Sequence, residues 1–297
     1  MAPSILGSSM DVEFHRRSAN GITLHCAEAG PVDGPLVILL HGCPEFWYGW
    51  RHQIGPLARA GFRVVAPDQR GYNESDKPKK IAAYDLDVLA ADIASLADTL
   101  GRQTFAVVGH DWGASVGWWT ARNYPARVER LAVLNAPHPA IWKDAMANNP
   151  QQKQLSRYVA TIGMPVLPEL IIRLGRYRGL VDALRTASSP NAFTEADIAK
   201  YRAAWRKPGA LTAMFNWYRA LLRKPLRLDG EQRIVSPVRI IWGVKDAYAV
   251  PELASESAKL CEDAKILYLE NATHWVAHDE PERVTRALLE FLQPMPG

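Results

Sequence analysis

The sequence predicts an α/β fold: a mostly parallel sheet covered by helices on both faces, with a helical segment inserted between two strands. Three observations carry this. Short, nearly continuous apolar runs recur along the chain, each ending in a polar turn, as strands buried on both faces do. Helical patterns separate them, the alternation expected of parallel strands joined by crossovers. That alternation then lapses over residues 139–230, a stretch too long for an ordinary loop.

In chain order, Leu36–Leu40 reads as the first strong strand and stops at His41-Gly42, and residues 62–66 repeat the pattern and stop at Pro67-Asp68. Residues 86–100 read as a helix, 105–108 as a strand, 114–122 as a helix and 130–134 as another strand. The following segment is helix-like, lacks clear strand runs, and is punctuated by Pro150, Pro165, Pro168, Pro190, Pro208 and Pro225. It is read as an inserted lid. The core resumes near Arg233, with strands at 238–242 and 265–269. The predicted organisation is core over 1–138, helical lid over 139–230, and core again over 231–297. In such sheets the functional loops leave the carboxyl ends of the strands.

Bulk properties narrow the function classes. The 297 residues suit one large domain with an insertion. A net charge of +4 is small for this length, and Arg173, Arg176, Arg178 and Arg185 read as a solvated helix face, because no stacking aromatics line a basic groove. No nucleic-acid partner is expected. No apolar stretch is long enough to span a membrane, and residues 1–15 lack the basic-then-apolar pattern of a secretory signal, so no membrane partner is expected either. Cys26, Cys43 and Cys261 are too scattered for a disulfide framework or a metal cluster, which points to a reducing, cytoplasmic setting. No cofactor or metal motif is present.

The chemistry concentrates at strand ends. Residues 107–115 read VVGHDWGAS, with Gly109 and Gly113 flanking Asp111 at minus two and plus two. Small neighbours at that spacing let a strained strand-to-helix turn push one side chain into the open. A carboxylate there can displace a leaving group from saturated carbon and form an ester with the enzyme, or it can simply cap the following helix. Asp246 follows the strand at 238–242, and His274 follows the strand at 265–269. Nucleophile, acid and base in that order is the order of a hydrolase of this architecture. His110 and His138 read as structural.

With those residues in hand, the chain resembles an α/β-hydrolase of the epoxide hydrolase family over nearly its whole length. The matching segments are residues 40–53 (LHGCPEFWYGWRHQ), 68–76 (DQRGYNESD) and Gly109-His110-Asp111-Trp112-Gly113. The resemblance implies that Asp111 forms a covalent alkyl ester, that His274, oriented by Asp246, activates water, and that backbone N–H groups of Cys43 and Trp112 form an oxyanion hole. Phe215-Asn216-Trp217-Tyr218-Arg219 is similar to the family's second lid-tyrosine motif, which gives Tyr218 the role of holding the epoxide oxygen. Tyr158, seven positions before Pro165, matches the first lid tyrosine.

The implied pocket comprises His41, Pro44, Phe46, Ile162, Met164, Phe215, Trp217 and Trp275, and the implied partners are a small apolar epoxide and water, with the chain a monomer or homodimer. Cys43 departs from the phenylalanine common there and alters the pocket wall rather than the N–H. Haloalkane dehalogenase, with the same aspartate chemistry, is the alternative. It is disfavoured by Cys43, where many of those enzymes carry a halide-binding asparagine, and fluoroacetate dehalogenases by Trp112 and Ser115, where they carry arginines. A non-catalytic binding protein on this scaffold is the remaining reading.

Overall fold

The computed structural model describes residues 12–224, 228 and 232–293. One sheet holds eight strands: β1 (Glu13–Ala19), β2 (Ile22–Ala29), β3 (Leu36–Leu40), β4 (Arg63–Pro67), β5 (Phe105–His110), β6 (Val128–Leu134), β7 (Val238–Gly243) and β8 (Ala264–Leu269). Their order is β1-β2-β4-β3-β5-β6-β7-β8, and every pairing from β4 through β3 to β8 is parallel. The six runs read as strands are all strands. The sequence reading missed β1 and β2, an antiparallel hairpin that pairs with β4 at one edge. Its turn is Asn20-Gly21, both residues at positive φ, as a two-residue hairpin turn requires.

Strand alternation builds two cores. On β3, Leu36, Ile38 and Leu40 join the cluster under the helices Leu86–Thr99 and Trp112–Asn123, whereas Val37 and Leu39 join the cluster under Ile54–Arg59 and Pro281–Leu292. The helix Leu86–Thr99 buries Leu86, Leu89, Ala90, Ile93, Leu96 and Ala97, a stripe at helical spacing.

Between β6 and β7 the described residues form seven helices and no strand: Pro139–Asn148, Pro150–Leu155, Arg157–Gly163, Leu167–Leu174, Arg178–Arg185, Glu195–Trp205 and Ala210–Arg223. Proline begins several of these helices, where its missing N–H costs nothing, and Thr194 and Asp197 close a capping box on the Glu195–Trp205 helix. The boundary read at 230–231 lies outside the described residues. Buried polar contacts fix the insertion to the core: Trp205 Nε1 donates to the Pro44 carbonyl (2.6 Å), Trp217 Nε1 to the Arg70 carbonyl (3.0 Å), and Tyr201 Oη to Glu45 Oε1 (2.7 Å). Each ties a large aromatic to the strand-end loops, and losing one such buried bond costs about 1–3 kcal/mol.

Candidate active site

Asp111 sits between β5 and the helix Trp112–Asn123 at φ 50° and ψ −121°, a conformation that holds its side chain clear of both elements. The sequence makes this turn possible by leaving out side chains. A Cβ on Gly109 would strike the Gly113 carbonyl, and one on Gly113 would strike the Leu40 carbonyl. Across the turn, the Cys43 N–H donates to Asp111 Oδ2 (2.9 Å), and a Cβ on Gly42 would lie 2.5 Å from Asp111 Cβ. The Trp112 amide, first in its helix, has no acceptor within the helix.

His274, on the loop after β8, faces two carboxylates. Its Nδ1 lies 2.9 Å from Asp246 Oδ2, and its Nε2 lies 3.6 Å from Asp111 Oδ1. Asp246 is held in turn: Asn135 Nδ2 donates to its Oδ2 (2.7 Å), and the Tyr248 and Ala249 N–H groups donate to its Oδ1 (2.7 and 3.2 Å).

Burial disfavours the His274 imidazolium, but the Asp246 charge, hydrogen bonds to Asp111 and Asp246, and the Asp111 charge together raise its pKa to about 10. Burial also opposes ionisation of Asp111, yet the bond and charge of His274 hold its pKa below the ordinary aspartate value. The resting pair is therefore carboxylate and imidazolium.

Tyr158 and Tyr218 reach this point from the insertion, their rings 6.2 Å apart. Burial, first of all, pushes both phenols well above the ordinary tyrosine value, so they stay protonated as donors. Two cavity lobes meet here. Both are bordered by Asp111, Tyr158, Tyr218, Tyr248 and His274. One continues along Trp112, Ser115, Pro137, Trp142, Val159 and Leu221, and the other along Cys43, Pro44, Ile162, Leu180, Phe215 and Trp275.

The chain as a whole is similar to known proteins. Residues 35–281 match the alpha/beta hydrolase fold family. The AB hydrolase superfamily protein YfhM of Bacillus subtilis is 44% identical over 276 residues, covering 93% of this chain and 96% of that one. Epoxide hydrolase 4 of Mus musculus is 32% identical, covering 94% of this chain and 79% of that protein. A crystal structure of Bacillus megaterium epoxide hydrolase with an inhibitor superposes with a TM-score of 0.85 at 31% identity, covering 94% of this chain and 99% of that one.

The chain belongs to the epoxide hydrolase family.

Within this epoxide hydrolase fold, the structure brings together Asp111, Asp246, His274, Tyr158, Tyr218, Trp112, Cys43, Pro44, Ile162, Phe215 and Trp275. Four expected pocket residues do not border either lobe. His41 is buried behind the loop, its Nδ1 on the Gly42 carbonyl (2.9 Å) and its Nε2 accepting from the Gln69 N–H (3.0 Å). Phe46 packs edge-on against Tyr201. Met164 is 39% exposed on the outer surface. Trp217 turns away to bond Arg70; two positions along a helix from Phe215 is about 200° of rotation, whereas Tyr218, at three, returns to the cavity side.

Sequence reasoning also missed residues. Tyr248 borders both lobes, its ring 4.8 Å from that of His274, and Asn135 braces Asp246. Tyr248 is two residues after Asp246 and Asn135 directly follows the strand read at 130–134, which was the available signal. Glu45 is the centre of a buried network: it accepts from Tyr201 Oη (2.7 Å) and His278 Nε2 (2.7 Å), and His110 Nδ1 lies 3.2 Å from its carboxylate. His110 Nε2 donates to the backbone carbonyl of His274 (2.9 Å), so this network positions the loop that carries His274. Burial opposes the Glu45 charge, but its histidine partners hold its pKa well below the ordinary glutamate value.

Proposed function

We propose that this enzyme converts an apolar epoxide and water to a vicinal diol through an alkyl ester on Asp111, inside a cavity roofed by a helical lid. The observation that carries this is that two cavity-lining tyrosines, Tyr158 half-buried and Tyr218 buried, share the cavity with an elbow aspartate that itself contacts His274. A halide leaves without a proton, but an epoxide oxygen leaves as a strongly basic alkoxide, and that chemistry gives two phenol donors a purpose.

In the first step Tyr158 and Tyr218 donate hydrogen bonds to the ring oxygen. Asp111 attacks one ring carbon, the C–O bond breaks, and a tyrosine proton passes to the alkoxide. Ester formation removes the Asp111 charge, one of the groups that raise the His274 pKa, so His274 releases its proton to the tyrosinate and becomes a neutral base. In the second step His274, oriented by Asp246, takes a proton from water, and the hydroxide adds to the Asp111 carbonyl carbon. N–H groups of Cys43 and Trp112 stabilise the oxyanion. Collapse expels the diol alkoxide, which takes the carboxylic proton of Asp111, and the resting ion pair is restored.

The test is product analysis. Styrene oxide should yield diol with the wild-type enzyme and not with Asp111→Ala, while a 1-bromoalkane should release little halide. Halide release exceeding diol formation would assign the site to dehalogenation instead.

A further inference from the structure

The helix Leu167–Leu174 carries Leu167, Leu170, Ile171 and Leu174 at the spacing of a single apolar face. In a globular protein that face turns inward. Here it turns outward: the four side chains are between 48% and 75% exposed, while Pro168 and Glu169 of the same helix are buried. The inversion is held in place by a buried ion pair, Glu169 with Arg219 at 2.8 Å, which pins the polar side of the helix to the neighbouring helix Ala210–Arg223. Met164 and Val166, just before the helix, are exposed as well, the latter at 74%. Ten large hydrophobic side chains are exposed among the described residues, and six of them lie in 164–174. Such clustering marks an interaction surface rather than scattered surface hydrophobes.

Charge identifies the partner. Across residues 150–181 the only acid is Glu169, which is buried and paired, against Lys153, Arg157, Arg173, Arg176 and Arg178, of which Arg178 lies 3.7 Å from Asp182. Arg173 and Arg176 are exposed and pair with no carboxylate among the described residues. Lys79, Arg173 and Arg223 border the groove that also contains Val166 and Leu170. An apolar helical face ringed by guanidinium groups suits the boundary between anionic headgroups and acyl chains.

A second copy of the chain fits less well, because a two-fold contact would set this cationic face against itself. By itself the helix is too short to span: it has eight residues, about 12 Å, against a hydrocarbon core of about 30 Å. Its axis also turns 92° from the preceding helical stretch Pro150–Gly163, so it can lie flat.

We propose that this face docks reversibly on an anionic lipid surface. This contact departs from the expectation from composition that no membrane partner is involved. The face adjoins the catalytic cavity through the chain itself, since the helix Arg157–Gly163 carries Tyr158 and Ile162 at the cavity and leads directly into Met164. Apolar substrates concentrate in bilayers, and docking there would set the lid against their reservoir. The proposal stands on the surface alone and is independent of which reaction the site performs.

The experiment is co-sedimentation of the full chain with phosphatidylcholine vesicles, with and without phosphatidylglycerol. Binding should require phosphatidylglycerol and weaken as salt rises. Arg173→Gln/Arg176→Gln should weaken it about fivefold per arginine. Leu170→Ser/Ile171→Ser/Leu174→Ser should abolish it. Both variants should keep the wild-type melting temperature and turnover of a water-soluble substrate, which separates lost docking from lost folding. Failure of the wild type to bind anionic vesicles would overturn the proposal, as would equal binding to both vesicle types. So would a wild-type dimer that becomes monomeric in the leucine variant while neither binds vesicles.

Discussion

Asp246 Oδ2 accepts a 2.9 Å hydrogen bond from His274 Nδ1, so the imidazole turns Nε2 toward Asp111, 3.6 Å away. In the proposed mechanism the histidine therefore serves a nucleophile that is already ionised, and its proton transfers follow ester formation. His274→Gln should leave alkylation intact and slow diol release by about 100- to 10,000-fold. Intact-mass analysis during turnover should show protein carrying one substrate on the peptide that contains Asp111. Wild-type diol release with no adduct would remove His274 from the mechanism.

In the proposed mechanism the two phenols act in the first step. Tyr158→Phe or Tyr218→Phe should each slow alkylation about 10- to 100-fold, and the double variant should lose it, because one donor remains in each single variant. Rapid-quench measurement of ester formation distinguishes the steps. An unchanged alkylation rate in Tyr158→Phe would confine that residue to packing.

Cys43 borders one of the two lobes, beside Pro44, Ile162 and Phe215. Its thiol is raised to about 12 by burial and then by the Asp111 charge, so it acts as a small wall rather than a nucleophile. With an epoxide placed as proposed, the two lobes beside Asp111 would receive the groups on its two ring carbons. Cys43→Phe keeps the backbone N–H but fills one lobe, so kcat/KM should fall more for trans-β-methylstyrene oxide than for styrene oxide. Equal losses on the two would mean the lobe does not hold a substituent.

Glu45 binds His110, His278 and Tyr201 from a fully buried position. Glu45→Leu should lower unfolding free energy by about 2–3 kcal/mol, since its buried partners are left without an acceptor. Urea denaturation measures this, and a loss below about 1 kcal/mol would mean the network repacks.

The raised His274 pKa also links folding to pH. Folded His274 holds its proton up to about pH 10, whereas an unfolded histidine loses it near 6.5. Its contribution to stability is thus fully present below pH 6.5 and declines as pH climbs toward 10. Between pH 6.5 and 8.5 the melting temperature of the wild type should fall more steeply than that of His274→Gln. Parallel slopes would show that the proton is not held on His274 in the folded enzyme.

What the sequence disclosed, and what it did not, follows from the range of the interactions. The parallel strands were legible because burial on both faces writes an apolar run into each, and Asp111, Asp246 and His274 stood out because each follows such a run. The β1–β2 hairpin escaped because it lies at the sheet edge, where Glu13, His15, Arg16 and Arg17 keep the strand polar; Asn20-Gly21 was the signal that could have revealed it. Glu45 could not be read as a hub, since Tyr201 and His278 come to it from distant parts of the chain. Pocket residues were assigned by apolar character near a motif, yet facing decides: Phe215 reaches the cavity and Trp217 does not. Met164, assigned to the pocket for the same reason, is exposed on the outer surface beside Val166 and Leu167.

The most direct test of the central claim is a single turnover of styrene oxide in ¹⁸O-water with enzyme in excess, followed by mass analysis of diol and protein. The account predicts unlabelled diol, because its new oxygen comes from Asp111, with ¹⁸O entering the peptide that contains Asp111. Label in the diol and none in the protein would mean that water attacks the epoxide directly, and would contradict the assignment of Asp111 as nucleophile.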